Sequence, residues 1–268
     1  MPDLRQAAPR GPAVALPTSK GWPTGPGKVT TVISFNIDQW CAWAPGLESA
    51  EDWARWSAAP WAPSADDAAQ PDVSFLPAMQ RRRLSPLARL AFGVAWPLAE
   101  GRAPMPLVFA SRHGETPRNY DLLCELAKNE ELSPTQFSLS VHNAIIGLWS
   151  ILRGDTSEMT ALSAEADGLE HALQEASLLL GDGAAEVLVI VTEGIQPEPY
   201  RPWIHDAPFP YALALRVSRG EQVRLNLGSG DGPAAPWPHA LQLVRSLLEA
   251  APTLEHHCGG RQWRWQFA

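Results

Sequence analysis

The stretch from Leu169 to Thr192 constrains the fold more than any other part of this chain. Leu169, Ala172, Leu173, Ala176 and Leu180 recur at helical spacing and stripe one face of a helix. Gly181 and Gly183 follow and supply the stop that helices favour. The run Glu186-Val-Leu-Val-Ile-Val-Thr192 comes next, and its uninterrupted apolar character is that of a central strand. A helix feeding directly into a buried strand is one repeat of a layered α/β architecture.

The same alternation extends upstream and downstream. Val29 to Ile37 is β-branched and reads as a strand, Trp40 to Leu47 as a loop, and Glu51 to Ser57 as a short helix with Trp53 and Trp56 on one face. Ala58 to Pro77 is rich in proline, alanine and aspartate and reads as an irregular excursion. Leu87, Leu90, Ala91, Val94, Ala95 and Leu98 stripe a helix over Ser85 to Ala99, and a buried strand follows at Leu107 to Ala110. A polar turn, Ser111 to Glu115, leads to a helix over Asn119 to Ala127 with Leu122, Leu123 and Leu126 on one side. Val141 to Leu152 is helical, with Gly147 as a point of close packing on the backbone. After a proline-rich loop (Gln196 to Pro210), Tyr211 to Val217 and Gln222 to Leu227 read as consecutive strands joined by a turn at Gly220. Trp237 to Ala250 is a helix, and Gln262 to Phe267 alternates aromatic and polar residues as an edge or half-buried strand does.

Composition removes several functional classes. With 268 residues, 45% of them hydrophobic, the chain can bury a substantial core, and one domain over residues 29–268 is expected behind a disordered leader at 1–28. A net charge of -8 argues against nucleic acid as a partner. The one basic run, Arg81-Arg82-Arg83, reads as a solvated helix start that an acidic carrier protein could also use. No apolar run is long enough to span a bilayer, and the N-terminal segment lacks the continuous apolar core of a signal peptide. Three cysteines, Cys41, Cys124 and Cys258, at spacings typical of neither zinc sites nor disulfides, suit a cytoplasmic protein. Metal-ligand motifs and phosphate-cradling glycine loops are both missing from the sequence.

The segment Ser133 to Gly183 resembles the nucleophile-bearing part of the β-ketoacyl synthases, enzymes of the thiolase fold. Ser133-Pro134, Asn143, Gly147, Ile151 and Gly154 carry that resemblance in order and spacing. It implies the N-terminal half of a thiolase-like layered fold, with a mixed sheet flanked by helices. It also places Ala166 where the family carries its reactive cysteine, at a helix start whose dipole lowers a thiol's pKa. Ser163, Ala164 and Glu165 supply no cysteine either. The family's catalytic histidines and lysine come from a second half that this chain is too short to contain. His205, His239, His256 and His257 lie downstream in no comparable glycine-flanked motif.

Further motifs narrow the resemblance: Trp43–Leu47 (WAPGL), Trp53, Pro77–Ser85 (PAMQRRRLS), Phe109–Glu115 (FASRHGE) and Phe137–Ala144 (FSLSVHNA). Together these look like the truncated chain-length factors of aryl polyene clusters, type II polyketide systems. The resemblance implies a non-catalytic subunit without a cofactor or metal. Its implied partners are an active β-ketoacyl synthase, as a heterodimer, and an acyl carrier protein. The strand Glu158 to Leu162 would then pair across the two-fold, bringing Met159 and Leu162 to the interface. The loop carrying Thr135, Phe137 and Ser140, with His142 and Asn143 behind it, would approach the partner's acyl tunnel. Phe137 reads either as a stopper that limits chain length or as an ordinary core aromatic.

The residues also admit a hydrolytic alternative, an acyl-thioester hydrolase or acyltransferase using Ser111 or Ser140. Ser140 and His142 are two apart and do not face each other on a helix, and no G-x-S-x-G elbow surrounds either serine. Capping and interface bonding by Ser140 and Asn143 is the better expectation. Ser111, His113 and Glu115 follow a strand end, where α/β proteins place ligands. A structural turn with Arg112 and Glu115 on the surface is the plainer expectation for them. Glu193 reads as a turn residue, and Glu165 and Asp167 as charges hostile to a thiolate. A homodimeric carrier-docking module is the third possibility.

Overall fold

The computed structural model describes residues 31–64, 69–206 and 208–268. The leader and the first residues of the expected opening strand lie outside these, as does part of the irregular excursion. In chain order the elements are β1 (Thr31–Trp43), α1 (Ala50–Ala58), α2 (Ala78–Arg81), α3 (Pro86–Ala99), β2 (Leu107–Ala110), α4 (Thr116–Ala127), α5 (Pro134–Ser138) and α6 (Ala144–Arg153). They continue as β3 (Met159–Leu162), α7 (Gly168–Gly181), β4 (Glu186–Glu193), a 3-10 turn (Glu198–Trp203), β5 (Tyr211–Ser229), α8 (His239–Leu248), β6 (Thr253–Cys258) and β7 (Arg261–Phe267).

The strands form one mixed sheet in the order β3-β2-β4-β5-β7-β6, with β1 also on β5. β2 is parallel to β3 and to β4, while β5 runs antiparallel to β4, β1 and β7. Side-chain alternation splits the core between two faces. Val187, Val189 and Val191 of β4, with Val108, Ala110, Leu213 and Leu215, meet α7 and α8 on one face. Leu188 and Ile190, with Leu107, Phe109, Ala212 and Ala214, meet α3 and α6 on the other. This is the expected α/β layering, a sheet covered by helices on both sides.

Local chemistry explains the helix ends. Ser49 and Asp52 form a reciprocal capping box on α1. Ser85 caps α3, where Pro86 occupies the first turn. Gly183, at φ +118°, follows the end of α7 as expected.

Several local expectations need correcting. The stretch Gln39–Trp43 is strand, not loop, because it pairs with Arg216–Ala212 of β5. Gly220 is not a hairpin turn: both halves of β5 run antiparallel to the same β1, and residues 219–222 bulge between Val223↔Phe35 and Ser218↔Asn36. The Asn36 side chain fills that bulge, accepting from Gln222 N at 3.3 Å and donating to Arg219 O at 3.3 Å. At Gly147 nothing among the described residues lies within 4 Å of where a Cβ would stand, so the expected close packing is not found there. Leu123 and Leu126 of α4 are exposed, and only Leu122 is buried. The strand β6 was not foreseen, and it makes β7 an interior strand with Trp263 and Trp265 inward. Among the described residues no helix is long and apolar enough to cross a membrane.

Candidate functional site

The parallel strands β3, β2 and β4 end together, and the turn after β2, the start of α7 and the end of β4 meet there. Strand ends of this kind are where open α/β sheets hold ligands. A cavity of about 330 Å³ opens at this edge, with Ala166, Gly168, Ser111, Glu193 and His239 among its lining.

Ala166 is exposed, one residue before Asp167, the N-cap of α7. Asp167 makes no cap bond of its own. Its buried carboxylate accepts from Arg261 Nε at 2.6 Å and Trp263 Nε1 at 3.0 Å, fastening β7 to the helix start. Burial would raise its pKa, but His171, Arg261 and Trp263 outweigh this and hold it well below the usual range.

A sulfur does reach the mouth of α7, from a place the local sequence does not reveal. Cys258, at the end of β6, lies with Sγ 3.6 Å from Glu165 Oε2 and 3.6 Å from Arg261 Nη2, and the Ala166 amide donates toward it. Partial burial and then the Asp167 charge push its pKa up, against the pull of that amide and Arg261. The thiol is therefore kept in its unreactive, protonated form.

Behind the cavity, Glu193 is buried and accepts from Ser111 Oγ at 3.1 Å, from the Arg112 amide and from His113 N at 3.3 Å. Burial pushes its carboxyl up to about 7 despite those donors. His113 Nε2 and Arg112 Nη1 each reach Asp206 at 3.2 Å, which pins the 196–206 loop over the turn. Glu115 is buried, not on the surface, and accepts from Ser85 Oγ. His142 Nε2 meets the Ser111 carbonyl at 2.7 Å. The two polar groupings of the sequence, Ser111/His113/Glu115 and Ser140/His142/Asn143, thus adjoin through Ser111 and His142.

Among the described residues neither serine hydroxyl meets a histidine. Ser111 Oγ is engaged by Glu193 and by the Gly114 amide at 2.9 Å, and Ser140 Oγ donates to Phe137 O at 2.9 Å. Asn143 occupies the N-cap of α6 without a side-chain cap bond, contrary to the capping expected of it. Thr135, Phe137 and Asn143 are exposed, Ser140 is buried, and His142, Met159 and Leu162 are half-buried. Phe137 is 64% exposed, which removes the reading as a core aromatic.

One buried cluster has no local signal in the sequence. Glu170 accepts from His239 Nδ1 at 3.1 Å and from His256 Nδ1, and the two imidazoles stack 3.8 Å apart at 19°. Their candidate ligand atoms lie within 4.8 Å of one another. Imidazole lone pairs lie in the ring plane, however, and two near-parallel stacked rings do not converge on one ion. The cluster is a hydrogen-bonded carboxylate clamp. Burial pushes His256 down in pKa and keeps it neutral.

Comparison with known proteins assigns this arrangement to a family. Residues 53–266 match the family described as Beta-ketoacyl synthase, N-terminal domain. The chain belongs to that family. A similar solved structure is a ketosynthase (ApeO) in complex with its chain length factor (ApeC) from Xenorhabdus doucetiae, at 32% identity and TM-score 0.79, covering 87% of this chain and 99% of that one. The ishigamide ketosynthase/chain length factor aligns at 15% identity and TM-score 0.56, over 74% of this chain and 67% of that one. An oxazolomycin ketosynthase domain from Streptomyces albus, OzmH KS7, aligns at 12% identity and TM-score 0.53, and this chain spans 49% of it. The last two show the fold alone. No curated protein matches. Within the β-ketoacyl synthase family, this chain carries the thiolase-like fold of the N-terminal half, with alanine at the position where the sequence resemblance places the nucleophile.

Proposed function

We propose that this chain is a non-catalytic, ketosynthase-like subunit of the chain-length-factor type. It pairs with an active β-ketoacyl synthase and shapes the tunnel in which an acyl chain grows on a carrier protein. The mouth of α7 carries the reading. A condensing enzyme needs a thiolate there to hold the acyl chain. This chain offers a methyl group at Ala166, flanked by Glu165 and Asp167, and the one nearby thiol is held protonated.

The relative at 32% identity is a ketosynthase–chain length factor complex, and the matched chain there is covered over 99% of its length, so it is no longer than this one. The OzmH ketosynthase domain is about twice the aligned span. The surface supports the same reading. β3 is the terminal strand of the sheet, with β2 as its one neighbour among the described residues. Phe137, Val141 and Ile151 are exposed apolar side chains at 64%, 46% and 76%, and α6, which carries Ile151, packs on β3. Solvent-facing apolar groups beside an unpaired strand edge call for a protein partner. Thr135, Phe137, His142, Asn143, Met159 and Leu162 would meet it, with Phe137 occluding the far end of the tunnel. Residues 29–268 act as one domain, and the carrier protein is met through the pair in the cytoplasm.

The test is co-expression with a ketosynthase encoded beside this chain. The two should co-elute as a heterodimer, and Phe137→Ala should lengthen the product. Failure to co-elute, together with unchanged products from Phe137→Ala, would sink the proposal.

A further inference from the structure

The buried carboxylate clamp joins three elements at one point. Glu170 projects from the first turn of α7, His239 is the first residue of α8, and His256 lies in β6. Their exposures are 0%, 4% and 1%. Both imidazoles meet the same carboxylate through Nδ1, His239 at 3.1 Å, and the two rings stack 3.8 Å apart. β6 is the terminal strand of the sheet, with β7 as its one neighbour among the described residues. The clamp is therefore a buried polar tie between that outermost strand and α7.

The geometry leaves His256 no room for a second proton. With Nδ1 donating to Glu170, the ring keeps a bare lone pair at Nε2, and that atom is buried with no partner among the described residues. A proton arriving there makes an N–H without an acceptor, on a ring already stacked against His239 and set edge-on to Trp265 at 6.3 Å. The carboxylate that could balance the charge is shared with His239. Burial holds the His256 ring below its ordinary 6.5 despite that carboxylate, and the neighbouring imidazoles of His239 and His257 push the same way.

A base held low in the closed form takes up a proton on opening. Closure is therefore fully favoured above about 6.5 and weakens as pH falls below it. The other shifted groups around the clamp do not act in this direction over the same range. Glu170, buried but bonded to two imidazoles, stays ionised down to about 2, and Asp167, bonded to Arg261 and Trp263, is also held well below the usual range. His171, raised by its bond to Asp167, and Glu193, raised by burial to about 7, both favour the folded form in acid. Burial and the nearby carboxylates push Tyr211 of β5 well above its ordinary 10.

We propose that this clamp is an acid-released latch: uptake of one proton at His256 frees β6 and the start of α8 from α7. Cys258, at the end of β6, leaves the mouth of α7 with the strand, and the edge of β7 is bared. The latch lies wholly within this chain and does not rest on the pairing proposed above.

Hydrogen exchange of the full-length chain, read by mass spectrometry from about pH 7.5 to about pH 5 and corrected for the intrinsic pH dependence of amide exchange, tests it. The opening constant of β6 peptides should rise about tenfold per pH unit below about 6.5, the slope of one proton, while α3 peptides keep their protection. His256→Asn retains an N–H for Glu170 and cannot take up a proton, so its β6 profile should be flat. A flat β6 profile in the unsubstituted chain, equal losses in β6 and α3, or an undiminished response in His256→Asn would overturn the proposal. If His256→Asn does not fold, the NMR shift of the His256 Cε1 proton against pH decides. A ring that titrates below its ordinary 6.5 supports the latch, and one that titrates at or above it overturns the latch.

Discussion

Two tryptophans on β7 offer a controlled experiment on what holds the C-terminal segment to the core. Trp263 and Trp265 are 1% and 0% exposed and point to the same face of the same strand. They differ in one respect. Trp263 Nε1 donates to the buried Asp167 carboxylate at 3.0 Å, whereas Trp265 Nε1 is buried with no partner among the described residues. Replacing each by phenylalanine removes the same atoms, so the cavity and transfer costs are similar and largely cancel in the comparison. What remains is a hydrogen bond to a charged group, worth about 1.5–3 kcal/mol. Trp265→Phe loses an unsatisfied donor and gives up nothing polar. Trp263→Phe should therefore be the less stable variant by about 1.5–3 kcal/mol, or roughly 3–12 °C in Tm at about 2–4 °C per kcal/mol for a chain of this size. Urea unfolding followed by circular dichroism, with calorimetric Tm as a check, gives the difference. Equal destabilisation of the two variants would refute the claim that the Asp167 bond fastens β7 to α7.

Glu193 binds its proton more tightly in the folded chain, with a pKa of about 7 against an ordinary 4.5. Its contribution to stability is full below the ordinary carboxylate range and is lost as pH rises through about 7. Glu193→Gln should lack that fall, so urea midpoints at about pH 5 and about pH 8 should diverge between the two proteins, and parallel profiles would contradict the assignment. Gly220→Ala drives a methyl into the Asn36 amide in the β5 bulge and should cost about 1–3 kcal/mol. Adding Asn36→Ala should recover part of this, and strictly additive effects would show that the contact is not the cause. Cys258 should alkylate slowly with iodoacetamide, and Glu165→Gln should speed it by less than about tenfold because that carboxylate is largely exposed. An unchanged rate would show that Glu165 does not restrain the thiol.

The layering was legible because its signals are local. The Leu169–Leu180 stripe, the apolar run of β4 and the Trp263/Trp265 alternation each declare themselves within one element. The β5 bulge was not legible: Ser218 to Gln222 is a polar stretch around a glycine, and a hairpin turn reads the same way. The contact that distinguishes them comes from Asn36, more than 180 positions away. The sequence resemblance marks a position, Ala166, and says nothing of its environment. Asp167 meets Arg261 from 94 positions away, Glu170 meets His256 from 86, and Glu165 meets Cys258 from 93. No spacing rule reaches that far. Glu193 looked like a turn residue because nothing in its neighbours reveals that Ser111 and two amides converge on it.

Intact-protein mass spectrometry of the co-purified pair, after incubation with an acyl thioester, reaches the central claim most directly. The condensing partner should gain the mass of one acyl group while this chain stays unmodified. An acyl adduct on this chain, mapped to Cys258 or to Ser111, would contradict the account.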